Sequence, residues 1–177
     1  YKVKMKSGDY EKTYAFEIKM DPNLKGITKE DLDEQFELSN KIIGKTTAAN
    51  EAVIKIREIK KTLGDAKDAI DDYDKNINPF LNELTEVEES LYQVKNQSNQ
   101  DPLNFPIKLN NRLASLRRSV ESGEAKPTDG AYKVFKELSA ELEQHLGALK
   151  AAMETQLPRI NSTLRDTGVE EISVSEE

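Results

Sequence analysis

The feature that most constrains the fold is a long series of apolar residues in the middle of the chain, spaced three and four positions apart. This spacing is the repeat of one buried face of an α-helix. The members are Ile70, Tyr73, Ile77, Phe80, Leu84, Val87, Leu91 and Val94. Pro79 lies inside the series, and the phase is the same on both sides of it. We therefore expect a single kinked helix over residues 65–94 that packs against other helices along its length.

Three further segments carry the same repeat. Thr28 and Asp31 have the spacing of a capping box and predict the start of a first helix that runs to about Leu63. Its apolar stripe is Leu32, Phe36, Ile42, Ile43, Ala49, Val53, Ile56, Ile59 and Leu63. A short helix over 109–123 carries Leu109, Leu113, Leu116 and Val120. Thr128 caps a last long helix, which Pro158 is expected to kink or briefly interrupt. Its stripe is Tyr132, Phe135, Leu138, Leu142, Leu146, Leu149, Met153, Leu157, Ile160 and Leu164.

The connections between these helices predict an architecture. Gly64 suits a helix end and Asp65 the next helix start, and so short a turn makes the two helices antiparallel neighbours. We predict a mainly α fold: an elongated up-down antiparallel bundle of three long helices and one short helix over residues 21–166. Three apolar residues between two prolines are expected to plug the end of the bundle: Leu103, Phe105 and Ile107. The acidic tail, residues 167–177, is expected to fray.

Residues 1–20 predict a β-hairpin in front of the bundle. Tyr1, Val3 and Met5 alternate with lysines, Ser7-Gly8-Asp9 supplies a turn, and alternation resumes through Tyr14, Phe16, Ile18 and Met20. A two-stranded hairpin is marginally stable in water, so its apolar face must cover either the helices or further strands. The chain begins at Tyr1 directly in this pattern, which we interpret as a fragment or a processed product whose upstream strands are missing.

Composition narrows the possible partners. Twenty-six basic and 33 acidic residues leave a net charge of −7, which argues against nucleic acid or an anionic membrane surface as partner. There is no cysteine, hence no disulfide and no thiolate metal site. No apolar run approaches the roughly 20 residues of a membrane-spanning helix.

One segment comes close to a calcium-binding loop. Residues 72–83 match most of that template, with acidic side chains at Asp72, Asp74 and Glu83. The template needs glycine where the chain has Ile77, and Pro79 falls inside the loop. We interpret these residues as a solvated acidic helix face.

The remaining candidates for chemistry are paired carboxylates and one histidine. The pairs are Asp31 with Glu34, Glu88 with Glu89, and Glu137 with Glu141. We interpret them as surface charge with partners four residues away, because glycoside hydrolysis needs two carboxylates across a cleft. His145 is the only histidine and is expected to be a partly exposed residue at the edge of the buried face. The predicted catalytic, cofactor-binding and metal residues of this chain are therefore none.

Several longer phrases resemble a known family. They are Met20-Asp21-Pro22-Asn23-Leu24, Thr28-Lys29-Glu30-Asp31-Leu32 with Gln35-Phe36, Asp101-Pro102-Leu103-Asn104-Phe105-Pro106-Ile107-Lys108-Leu109-Asn110-Asn111, and Pro127-Thr128-Asp129-Gly130-Ala131-Tyr132-Lys133-Val134-Phe135. Together they resemble the C-terminal region of bacterial sortilin-like BNR-repeat β-propeller proteins, which are often labelled glycosyl hydrolase-like. In that family this region is the end of an Ig-like module followed by a helical domain.

The resemblance implies a non-catalytic C-terminal accessory domain of a large exported propeller protein, secreted or in the cell envelope. Its partners are then the upstream propeller and Ig-like modules, with no nucleic acid and no membrane. Residues 1–20 are in that case a remnant of the Ig-like module. One alternative is a stand-alone helical module that binds another protein. A second alternative is a part that completes the active site of an upstream hydrolase propeller.

Overall fold

The predicted fold class is confirmed by a computed structural model that describes residues 1–96, 98 and 100–173. A two-stranded antiparallel hairpin comes first, and α-helices follow it. The elements in chain order are β1 (Lys2–Ser7), β2 (Tyr10–Ala15), α1 (Lys29–Asp65), α2 (Tyr73–Asn76), α3 (Asn78–Leu91), α4 (Leu109–Val120) and α5 (Asp129–Asp166).

The helices form three passes along the bundle. Glu88 of α3 contacts Lys60 of α1, whereas Val120 at the end of α4 accepts a hydrogen bond from Gln35 near the start of α1. From α3 to α4 the chain therefore moves from the C-terminal half of α1 toward its N-terminal end. Both α3 and α4 thus run antiparallel to α1 and in the same direction as each other. In α5, Tyr132 bonds to Glu34 of α1, and further along the bundle Arg159 bonds to the α2–α3 region. Helix α5 is therefore parallel to α1.

This path corrects the predicted helix arrangement. We expected three long helices and a short fourth one, but among the described residues only α1 and α5 are long, with 37 and 38 residues. The second pass consists of α3 followed by α4. The direction of a short helix depends on the route of the preceding loop, and residue periodicity carries no information about that route.

The predicted kinked helix over residues 65–94 is also divided. A 3₁₀ turn covers Lys67–Ala69, Asp72 has a left-handed backbone with φ of 49°, and α2 is a single turn. Pro79 lies in the first turn of α3, where its missing N–H has no intrahelical partner to lose. The helix begins at Asn78, one residue before this proline, and does not bend there. Tyr73 and Ile77 are nevertheless buried, because the turns keep the apolar side chains on the core side.

The core follows the predicted stripes, but three of their residues, Phe36, Val94 and Tyr132, are exposed. In α1, Phe36 is 68% exposed, whereas Leu38 is buried at 1%. Leu38 and Ile42 are four residues apart and share a face, while Phe36 lies about 200° around the helix from Leu38. The buried face of α1 therefore begins at Leu38, and the predicted placement of Phe36 in it is wrong.

The loop over residues 92–108 does not plug the end of the bundle. Leu103 is 87% exposed and Ile107 46%, while Phe105 is half-buried. Because α3 and α4 belong to one pass, the loop leaves and rejoins that pass part of the way along the bundle. Its base is held by the buried side chain of Gln93, whose Nε2 donates to the carbonyl of Pro106 at 2.7 Å.

The chain turns back after α5, which continues through Pro158 without interruption. Gly168, at φ of 74°, makes the turn, and the N–H of Val169 donates to the carbonyl of Leu164 at 2.9 Å. Val169 and Ile172 then pack against the core. The predicted fraying is wrong for residues 167–173, which we call the C-terminal arm. Residues 174–177 lie outside the described chain.

Candidate docking surface

The hairpin is built on a tight turn and a regular register. Gly8 has φ of 56°, a conformation that favours glycine, and Ser7 pairs with Tyr10 across the turn. The ladder continues to Lys2 opposite Ala15. Two further backbone hydrogen bonds of 3.0 Å join Tyr1 to Phe16. The two strands are therefore paired along their whole length, as the sequence alternation requires.

One face of this hairpin is apolar and open to solvent. Paired residues share a face and the faces alternate along each strand, so one face carries six apolar residues, Tyr1, Val3, Met5, Tyr10, Tyr14 and Phe16, together with Ser7 and Lys12. The ammonium group of Lys12 lies over the ring of Tyr14, 5.0 Å from its centroid. The exposed fractions of these six side chains run from 45% for Tyr14 to 80% for Tyr1. The rings of Tyr1 and Phe16 stack with centroids 5.8 Å apart. We call these six residues the hairpin face; contiguous apolar surface of this kind marks an interaction site.

The opposite face of the hairpin is polar. It carries Lys2, Lys4, Lys6, Glu11, Thr13 and Ala15. Lys4 and Glu11 form an exposed ion pair of 2.8 Å on it. Ile18 and Met20, which follow the strands, are also exposed, at 64% and 41%. The hairpin is therefore amphipathic, and no described helix covers its apolar side, since residues 1–20 are all exposed.

Several polar groups of the segment that resembles a calcium loop, residues 72–83, are hydrogen-bonded within the chain. The carbonyl of Asn76 accepts a hydrogen bond from Arg159 at 2.6 Å, and Asp74 accepts one from Asn78 at 3.0 Å. Glu83 accepts a hydrogen bond from Gln156 of α5 at 2.7 Å. Within the described chain, no group of three His, Cys, Asp or Glu side chains is placed to hold a metal ion.

Asp31 and Glu141, two of the paired carboxylates, bind other partners than the ones we predicted. Asp31 caps α1: the backbone N–H and the hydroxyl of Thr28 donate to it and lower the pKa of its carboxyl. Glu141 accepts two hydrogen bonds of 2.8 Å from Arg112 of α4. The prediction of partners four residues away is wrong for these two groups.

Glu88 departs furthest from its predicted role as surface charge. It is only 6% exposed, and it accepts hydrogen bonds from Lys60 at 2.7 Å and Arg57 at 2.6 Å. Burial alone raises the pKa of this carboxyl, but the hydrogen bonds and charges of Lys60 and Arg57 outweigh it, so the pKa of Glu88 is lowered. Glu88 flanks Val87 on the buried stripe, but its basic partners are about 30 residues away, and helix pairing alone brings them together.

His145 lies where it was predicted, half-buried at the edge of the α5 stripe. It lines a small cavity of about 230 Å³ together with Val87 and Ser90 of α3. No second histidine exists in the sequence to form a metal pair with it. The chemically distinctive surface of the described chain is therefore the hairpin face.

Comparison with protein-family models, with curated proteins and with solved structures gave no match for this chain. Within the described residues, no helix is both long enough and apolar enough to cross a membrane.

Proposed function

We propose that this chain is a non-catalytic structural module whose hairpin docks onto a neighbouring β-rich module. The observation that carries the proposal is the hairpin face, with six large apolar side chains exposed on one side of a regular ladder. Fully burying side chains of this size stabilises a contact by about 1.5–3 kcal/mol each. Most of these residues are already about half buried, so a partner that covers the face gains about half of that energy, less the entropic cost of association.

The backbone of the hairpin favours a β-rich partner. Strands β1 and β2 pair with each other in a two-stranded sheet, so each has an outer edge with N–H and C=O groups directed away from the ladder. Such an edge accepts a further strand, and main-chain hydrogen bonds then add to the apolar contact. A sheet that offers both a strand edge and an apolar face meets both requirements of the hairpin.

The bundle suits a supporting role. Helix α1 has 37 residues and is roughly 55 Å long at 1.5 Å per residue. Ion pairs join its N-terminal half to the other passes, from Lys126 to Glu34 at 2.9 Å and between Lys45 and Glu143. Thr28 and Asp31 form the predicted capping box at the start of α1, and residues 16–28 connect β2 to this helix. The hairpin is thus connected to one end of a long helical body.

With the family resemblance, these observations lead to a specific form of the proposal. The chain is the C-terminal accessory domain of a large exported β-propeller protein, and its hairpin completes the sheet of the upstream Ig-like module. The location is then secreted or in the cell envelope. The absence of a matching relative makes direct contact mapping the decisive test.

The test places a photo-crosslinking amino acid on either face of the hairpin in the full-length protein. Val3 and Tyr14 report on the hairpin face, while Lys4 and Thr13 are matched controls on the polar face of the same two strands. We expect crosslinks to a β-rich segment outside residues 21–173 from the first pair alone. Equal crosslinking from both pairs, or none from Val3 and Tyr14, contradicts the proposal.

A further inference from the structure

The hairpin region differs in charge from the rest of the chain. Residues 1–20 contain five lysines and three acidic residues, so their net charge is +2. The other 21 basic and 30 acidic residues leave a net charge of −9 on the remainder. Because complementary charge steers association, a partner that recognises the hairpin is expected to offer it negative charge.

One lysine lies among the side chains of the hairpin face. The register places Lys12 on that side of the ladder, directly opposite Met5 of β1. Tyr10 and Tyr14 flank it on β2, two residues away in either direction, and side chains two residues apart point to the same side. Lys12 thus has large apolar neighbours on three sides. The other lysines of the ladder lie on the polar face: Lys2, Lys4 and Lys6.

The ammonium group of Lys12 extends along β2, over this apolar surface. It lies above the ring of Tyr14, which attracts the cation through its π-electrons. Glu11, its neighbour in sequence, is on the opposite face and pairs there with Lys4 at 2.8 Å. Among the described residues, Lys12 is therefore without an ion pair.

A partner that covers the hairpin face removes the ammonium group of Lys12 from water. This transfer is costly unless an opposite charge and hydrogen-bond acceptors replace the water. The group has three N–H donors, and the face of the Tyr14 ring attracts its charge but does not accept those hydrogen bonds as an oxygen does. The three lysines of the polar face raise no such requirement, because that face stays in water.

We propose that the partner surface carries an Asp or Glu side chain whose carboxylate pairs with Lys12. This inference rests on the proposed docking of the hairpin and specifies the chemistry of its partner. The occupant of the hairpin face is then an apolar sheet surface with one acidic residue at the level of Met5 and Lys12. The apolar side chains supply the contact area. The ion pair sets the register, because a displaced partner leaves both charges unpaired.

Two substitutions of Lys12 test the proposal in the full-length protein, with a photo-crosslinking amino acid in place of Val3. K12M removes the charge and keeps an unbranched apolar side chain. It is expected to lower the crosslink yield, because the partner carboxylate then stays unpaired in the interface. K12E is expected to lower the yield further, because two carboxylates then meet. The matched controls K2M and K2E make the same changes on the polar face, opposite Ala15, and leave the yield unchanged.

Charge exchange identifies the acidic residue. Mass spectrometry of the crosslinked product locates the partner segment, and each Asp or Glu of that segment is changed to Lys in the K12E protein. One of these changes is expected to restore the yield, because it recreates the ion pair with its charges reversed. The other changes serve as internal controls and leave the yield low.

Three results overturn the proposal while docking itself stands. One is a K12M yield equal to or above that of the unsubstituted protein, which shows that Lys12 stays in water at the interface. Another is an equal loss in K12E and K2E, which shows a general effect of net charge. The third is a crosslink to residues 1–20 of a second copy, which identifies another hairpin as the occupant. A lack of crosslinks from Val3 in the unsubstituted protein is a different result, since it refutes the proposed docking of the hairpin and this inference with it.

Discussion

The hairpin and the bundle are both amphipathic, but they differ in what covers their apolar sides. In the bundle, Ile56 and Leu84 are fully buried, because α1 and α3 cover each other. In the hairpin, Val3 and Phe16 are about half exposed, because two strands have only one layer. A helix in a bundle finds its partners within the chain, whereas a lone hairpin has to find a second layer elsewhere. The helical bundle therefore stabilises the fold, whereas the hairpin face remains available for docking.

Electrostatics follow the same division. In the bundle, the buried Glu88 binds Arg57 and Lys60 of another helix, and Arg112 bridges to Glu141. In the hairpin, the ion pair of Lys4 and Glu11 is fully on the surface. Exposed pairs contribute about 0–1 kcal/mol, whereas a buried carboxylate that loses its partners is costly. Charge therefore helps to specify how the helices pair, and contributes little to the hairpin.

The largest expected contrast between the two regions comes from a matched pair of phenylalanines. Phe80 is fully buried, and F80A is expected to lower the free energy of unfolding by about 3–5 kcal/mol through lost burial and a cavity. Phe16 is 48% exposed, and F16A is expected to cost less than about 1 kcal/mol. Urea unfolding followed by circular dichroism measures both. If F80A and F16A lower the free energy of unfolding equally, the hairpin and the bundle do not differ in their contribution to stability.

Removal of terminal segments is the next test. A chain of residues 24–173, which lacks the hairpin, is expected to unfold within about 0.5 kcal/mol of the full chain. A chain of residues 24–166 also lacks the C-terminal arm, with the packing of Val169 and Ile172 and the hydrogen bonds to Asn161. It is expected to be less stable by about 2 kcal/mol. If removing the hairpin costs more than removing the arm, the hairpin belongs to the cooperative unit.

Glu88 gives a stability effect that depends on pH. Because its folded pKa is lowered from the ordinary value of 4.5, its contribution is present above that pH and is lost as the pH falls through the folded pKa. E88Q is expected to cost about 1–2 kcal/mol at pH 7 and to flatten the decline in stability under acid conditions. The matched control is E89Q at the neighbouring exposed position. The test is the unfolding midpoint of each variant, measured from pH 7 to pH 3. A decline under acid conditions that is as steep in E88Q as in E89Q contradicts the prediction.

The smallest expected effect concerns a helix cap. The hydroxyl of Thr128 accepts a hydrogen bond from the N–H of Ala131 at 3.2 Å, and T128A is expected to cost about 1 kcal/mol. Thr13 lies on the exposed polar face of β2, and T13A is expected to cost less than about 0.5 kcal/mol. Thermal unfolding of the two alanine variants side by side makes the comparison. A larger effect at Thr13 indicates that the hairpin contributes more to folding than its exposure implies.

Local signals in the sequence predicted local structure well. The alternation of apolar residues and Gly8 identified the hairpin, and Thr28 and Thr128 identified two helix starts. The lone His145 was correctly placed at the edge of a buried stripe. These features depend on interactions within a few residues, so the residues that decide them are adjacent in the chain. Most of the hairpin face was predicted for the same reason, because strand alternation assigns side chains to one side. Tyr10 was not among the predicted residues, and its place on this face follows from its pairing with Ser7.

The sequence by itself therefore determined a helical molecule with a hairpin in front, and which side of each element is apolar. Only the tertiary structure decided that α4 continues the direction of α3, that Glu88 is buried between two bases, and that the C-terminal arm turns back and packs against the core. The physical reason is that these three features depend on how distant segments are aligned. Helix periodicity specifies the side of a helix that is buried, but many alignments satisfy the same stripe. The alignment that forms is the one that satisfies packing and buried charge together.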